Sequence, residues 1–157
     1  MSVYTVLRLV HSYWRWAVLV AALVVFARAV AGLVSSRAWT ASDQRAGRLF
    51  ITTLDVQFVL GIVLYFGFSP FWMSTIQSFR ETMQAPVARF FGVEHETAMV
   101  LAMAAVHVGW ARAARAADPR RKYRTLLVTL LVFFAISAWA IPWPGRVVGR
   151  PLFRTTF

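Results

Sequence analysis

Two histidines, His11 and His95, each lie near the start of a long apolar segment, two segments apart along the chain. If both segments cross a membrane as helices, they run in the same direction. Each imidazole then lies about seven residues inside its span, roughly 10 Å deep at helical rise. A histidine inside a membrane span is costly and is usually functional. Two imidazoles at one level on facing helices match the axial ligand set of a haem iron. Arg8 and Arg15 stand at i−3 and i+4 from His11, on the same helix face. Guanidinium groups there suit anionic propionates, or else they only anchor the helix end by snorkelling.

The third histidine, His107, follows His95 by twelve residues, roughly 18 Å further along a helix. It cannot share an iron with the other two. Its predicted depth is that of Asp55, with Arg28 in the same zone. Two readings stay open for these three. One is a buried polar cluster in which Asp55 pairs with Arg28 or His107, since a lone charge there is expensive. The other is a second cofactor site, or a proton-exchanging quinone site. Glu94 and Glu96 flank His95; either one orients an imidazole N–H, or both face water. Below His95, Ala98, Ala102, Ala105 and Gly109 recur at three- and four-residue steps. That stripe either leaves room for a flat ring or lets helices pack closely.

The elements that must position these residues follow from composition. Of 157 residues, 59% are apolar, well above the roughly 45–50% of soluble domains. Mean hydropathy is +0.61. We read one integral membrane domain over 1–157. The net charge of +11 does not point to nucleic acid, because the arginines fall at the ends of apolar stretches, where they set topology and touch anionic lipid. The absence of cysteine excludes disulfides, iron–sulfur clusters and covalently attached haem. The first apolar segment is too long for a signal peptide, and it is expected to stay in the mature protein. No nucleotide-binding loop, zinc-protease motif or nucleophile triad is present.

Four segments, about 4–34, 47–68, 88–113 and 123–141, each reach the roughly 20 residues needed to cross a bilayer. Short connections make neighbours antiparallel, so the predicted fold is all-α, an up-down four-helix bundle. Ser36, Thr40, Ser42 and Asp43 are possible caps in the first connection, and Asp118-Pro119 breaks the last. Pro142, Pro144 and Gly145 stop the fourth helix. In the longer middle connection, 69–87, Phe71, Trp72, Ile76, Phe79 and Met83 recur at near-helical spacing, predicting a short amphipathic helix in the interface. Arg37, Arg45, Arg48, Arg112, Arg115, Arg120, Arg121, Lys122 and Arg124 fall at one end of the bundle. Arg8, Arg15, Arg80, Arg89, Arg146, Arg150 and Arg154 fall at the other. The larger set is expected to be cytoplasmic, with both termini outside. Trp14, Trp16, Trp72, Trp139 and Trp143 gather toward the terminal side as an aromatic belt would.

With these residues in view, the chain resembles small bacterial four-helix cytochrome b-like membrane proteins, distantly akin to the cytochrome b561 class. The matching pieces run in order along nearly the whole chain. They are His11-Ser12-Tyr13-Trp14-Arg15-Trp16, the stretch from Gln57 to Phe66, Glu94-His95-Glu96-Thr97-Ala98-Met99, His107-Val108-Gly109 and Ala140-Ile141-Pro142-Trp143-Pro144. The resemblance implies haem b held by His11 and His95, with electron transfer in the bacterial inner membrane. It departs at Asp55, where the family pattern has a histidine. A second haem would lack that ligand.

The chain is therefore read as an electron carrier or oxidoreductase subunit rather than a stand-alone enzyme, exchanging electrons with quinol or a partner redox protein. The alternative is a haem-free or structural accessory subunit of a larger respiratory or photosynthetic membrane complex, with the segment 151–157 as a contact surface. A proton-linked transporter built on Asp55 and His107 is a third reading, disfavoured because no discontinuous helix pair is evident.

Overall fold

A computed structural model of the chain describes residues 2–153. Arg154 and the end of the proposed contact segment, 154–157, lie outside the described residues. Four helices are long and apolar enough to cross a membrane: α1 (Val3–Val34), α2 (Ala41–Phe68), a third span over Pro86–Arg115 and α7 (Pro119–Ala140). The third span is composite. It begins with α5 (Pro86–Arg89), passes through a π turn (Phe90–Glu94) and continues as α6 (His95–Arg115).

Capping chemistry explains where the helices begin. Ser2 caps α1 by accepting from the Thr5 N–H. α2 starts six residues before the predicted boundary because Thr40 and Asp43 form a capping box, in which each side chain satisfies the other's exposed N–H. α7 starts four residues early because Asp118 caps it and Pro119 takes the first helical position, where a missing N–H costs nothing. The dipeptide expected to act only as a breaker is thus also a helix start.

The connection between the second and third spans is not one amphipathic helix. It forms α3 (Pro70–Gln77) and α4 (Phe79–Gln84) before α5. Ser78 ends the first piece in a non-helical conformation and caps the second through Glu81 N. Met73, Ile76 and Phe79 remain exposed, as an interfacial segment requires.

The four spans close a ring in the order α1, α2, α6, α7. α6 lies against α7, α1 lies against both α2 and α7, and the α2–α6 seam is much thinner. α1 and α6 therefore occupy opposite corners and run the same way. The core fills the middle and the end nearest the α1–α2 and α6–α7 connections. There Val25, Phe50, Val106, Leu130 and Phe133 pack together, with the Phe50 and Phe133 rings edge to face at 5.4 Å.

The same end is closed by a network around Asp43. Its carboxylate, 1% exposed, accepts from Arg28 Nε at 2.8 Å and from Arg37 Nη1 at 2.7 Å. It also accepts from Tyr123 Oη at 2.8 Å and Thr40 Oγ1 at 2.7 Å. These bonds hold the Arg37 guanidinium above its ordinary pKa. Arg28 is thereby drawn away from Asp55, the partner the sequence had offered it. It lies near the end of its helix, where a long side chain reaches the cap of the next helix more readily than the bilayer centre.

Candidate functional site

His11 and His95 both line one cavity of about 210 Å³ on the terminal side of the bundle. Each sits in the third turn of its span. Because α1 and α6 are diagonal neighbours running in the same direction, the rings approach one space from opposite corners. The core closes the cavity below through Val18, Leu54 and Phe133. Arg8, Arg15 and Arg150 line it as well, together with one carboxylate, Glu96.

His95 is held in a defined protonation pattern. Its Nδ1 lies 2.9 Å from the Ala140 carbonyl, which can only accept. Nδ1 therefore carries the proton, and in the neutral ring Nε2 keeps its lone pair. A backbone carbonyl on the far nitrogen is the usual orienting partner of a metal-ligating histidine. The α6–α7 packing supplies it, since Ala140 ends α7. Neither flanking glutamate does this job: Glu94 pairs with Arg89 at 2.7 Å, and Glu96 turns to the cavity wall.

His11 is held differently. The Gln57 amide Nε2 lies 3.1 Å from His11 Nε2 and 3.1 Å from the His11 carbonyl. One amide N–H goes to each, so the imidazole lone pair at Nε2 is occupied by Gln57. Its Nδ1 is buried without a hydrogen-bond partner, and so are Gln57 Oε1 and Arg8 Nε. Such orphaned groups are rare in a native interior and call for an explanation. Gly61, one turn beyond Gln57, makes the space for the ring: a Cβ there would lie 3.3 Å from His11 Cε1.

The rest of the wall explains the broken third span. The His95 N–H donates to the Phe90 carbonyl, closing the π turn, a local irregularity that often marks functional sites. Tyr65 Oη donates to the Gly92 carbonyl at 2.6 Å, tying this turn to α2. Phe90 and Phe91 flank the His95 ring at 5.8 and 6.4 Å. The segment after α7 folds back over the mouth, where the Arg15 Nη2 group donates to the Leu152 carbonyl at 3.1 Å.

Arg8 and Arg15 reach the same cavity as the two histidines. His107 and Asp55 do not. They meet elsewhere, with His107 Nε2 3.2 Å from Asp55 Oδ1 and both side chains 43% exposed. The approach lacks hydrogen-bond geometry, and Asp55 Oδ1 has no hydrogen-bond partner. His107 Nδ1 lies 3.1 Å from the Met103 carbonyl, which fixes a proton there. A bond from Nε2 to Asp55 therefore needs a second, shared proton.

The small-residue stripe also resolves. Ala98, Ala102 and Gly109 are buried and none lines the cavity. A Cβ on Gly109 would collide with Thr129 of α7, so these three serve close helix packing, while Ala105, the fourth member of the stripe, lines a concavity on the outside of the bundle. The room around His11 comes instead from Gly61. Trp14, assigned from sequence to the belt, donates Nε1–H to the Thr53 carbonyl at 2.9 Å, and so braces α1 on α2.

Gln57, Gly61 and Arg150 are among the wall residues that sequence reasoning had not assigned to the site. Gln57 carried a signal, being the one amide in a long apolar run. Arg150 carried none, because only the fold-back after Pro142 brings it to the mouth. Among the described residues no group of three or more histidines and carboxylates could hold a bare metal ion. No family model, curated protein or solved structure matches the chain.

Proposed function

We propose that this chain is a small b-type membrane cytochrome holding one haem b between His11 and His95. The observation that carries the reading is the convergence of two imidazoles from parallel, diagonal helices on one cavity, with arginines at its mouth. The donor set fits the group. His95 is oriented by Ala140 with Nε2 available, and Arg8 offers a buried, unsatisfied N–H to an anionic propionate. His11 fits once Gln57 releases Nε2. His11 and His95 would hold the haem iron, and the bound haem would supply a one-electron couple suited to electron transfer.

The chain's own residues do the rest. Ala140 sets the His95 tautomer, the aromatic pair Phe90 and Phe91 shields that ring, and Val18, Leu54 and Phe133 keep water from below. Quinol in the bilayer or a redox protein at the terminal face is the electron partner. The resemblance to cytochrome b561-like proteins points the same way and would place the chain in the bacterial inner membrane. The arginine-rich connections would then be cytoplasmic and the termini outside. Only one haem is proposed, because Asp55 replaces the second histidine.

The test is an absorption spectrum of the purified protein, oxidised and reduced. A Soret band and an α band that sharpens on reduction are expected. A monodisperse, folded sample that stays colourless after incubation with haem rejects the proposal.

One observation favours a second role, that of a subunit in a larger membrane complex. Asp55 stands at the middle of α2, yet it and His107 are half exposed on the outside of the bundle. Ionisable groups do not ordinarily face hydrocarbon; a partner helix would cover them. Purification in mild detergent tests this, and a lone small particle counts against it.

A further inference from the structure

A second concavity, of about 530 Å³, lies outside the bundle along the seam of α6 and α7. Ala105 and Val108 of α6, with Val128 and Val132 of α7, give it an apolar floor. At one end stand Arg112, in the last turn of α6, and Arg121 and Arg124, near the start of α7. All three arginines are exposed. Among the described residues none of them is in an ion pair. The nearest carboxylate in sequence, Asp118, is engaged with the backbone N–H groups of Arg120 and Arg121.

The dimensions are informative. From Arg112 to Ala105 and from Arg121 to Val132 the helices advance roughly 10 to 16 Å. That is about half the roughly 30 Å hydrocarbon core, the depth of one leaflet. An apolar slot one leaflet deep, with three unneutralised guanidinium groups at its rim, complements an acyl chain that carries a phosphate at its head.

We propose that this groove binds an anionic phospholipid from the leaflet facing the α1–α2 and α6–α7 connections. A general belt of positive charge would attract such lipids diffusely. Here the three arginines converge on one slot, whereas Arg45, Arg48 and Arg115, at the same end of the bundle, do not line it.

Native mass spectrometry of the full chain in a neutral detergent tests the proposal. Phosphatidylglycerol and phosphatidylcholine with identical chains are titrated separately. The first phosphatidylglycerol adduct is expected at a concentration lower by at least roughly tenfold and up to about a hundredfold, given the attraction of about 1 kcal/mol that each basic residue adds. Arg112→Gln, Arg121→Gln and Arg124→Gln together should erase that preference, the three Lys replacements should keep most of it, and Arg124→Gln alone should lose part of it. The control set Arg45→Gln, Arg48→Gln and Arg115→Gln should leave it intact. Equal binding of the two lipids overturns the proposal, as does a control set that loses the preference as fully as the groove set. Glycerol phosphate without chains binding as tightly as the lipid also overturns it, in favour of a free phosphate site. None of these outcomes depends on whether haem is bound.

Discussion

At the end of the bundle nearest the α1–α2 and α6–α7 connections, Asp43 receives hydrogen bonds from two arginines, a threonine and a tyrosine. At the end nearest the termini, His11 Nδ1, Gln57 Oε1 and Arg8 Nε are buried and make none. Packing follows the same division. Phe50, Val106, Leu126 and Leu130 fill the first end, whereas the second surrounds a cavity and is reached by a span interrupted by a π turn. The Asp43 network is satisfied within the bundle; away from the terminal end only Asp55 Oδ1 is a buried side-chain atom without a hydrogen-bond partner among the described residues. Under the proposed function the unsatisfied end is where the haem would be held, and the contrast would then separate residues that hold the fold from residues that hold the ligand.

Substitutions at the two ends should then fail in different ways. The largest effect is expected from His11→Ala and His95→Ala: complete loss of the bis-imidazole spectrum with monodispersity retained, while His107→Ala keeps the spectrum. A His95→Ala protein with an unchanged α band would break the comparison outright. Next comes Asp43→Ala, which removes the carboxylate shared by Arg28, Arg37 and Tyr123 and leaves the tyrosine hydroxyl with only the Ala38 carbonyl. A loss of about 3 kcal/mol is expected for breaking such a buried pair, read by denaturant titration in detergent. The spectrum of the residual folded fraction should be normal.

Gly109→Ala should follow, costing about 1 to 3 kcal/mol through overpacking against Thr129, again with normal haem loading. Gly61→Ala gives the opposite pattern. Its Cβ meets only the edge of the His11 ring, so thermal stability should move little while haem affinity falls. If both glycine variants shift stability alike and neither shifts loading, the division between the two ends is wrong. The smallest effect is expected from Tyr65→Phe, which removes the bond to Gly92 and about 1 kcal/mol, with a slight shift of the reduced spectrum.

Much of this was legible in the sequence. Four apolar stretches of spanning length, joined by short connections, leave few alternatives to an up-down helical bundle. The shared level of His11 and His95 needed only helical rise and the parity of the spans. Other features depend on which way side chains turn once helices pack. From the sequence Arg28 is a candidate partner for Asp55, and only the tight turn after α1 brings Asp43 within its reach. The alanine–glycine stripe fits a ring and a helix equally well as a pattern; the position of Thr129 on α7 decides between them. Arg150 comes to the cavity through a fold-back that has no periodic signature.

The π turn bears on how the third span tolerates insertion and deletion. Phe90 and Ala98 are both buried, eight residues apart, whereas two α-helical turns take about seven. The extra residue is absorbed between Phe90 and Glu94, so the aromatic stretch before the turn and the histidine stretch after it keep independent phases. A helical wheel drawn through the whole span misplaces one of the two by about 100°. Removal of Val93 should let the backbone relax to plain α-helix with His95 still facing inward, whereas removal of Val100 should rotate every later contact with α7 out of register. Size-exclusion profiles of the two deletions would show which part of this span has a residue to spare.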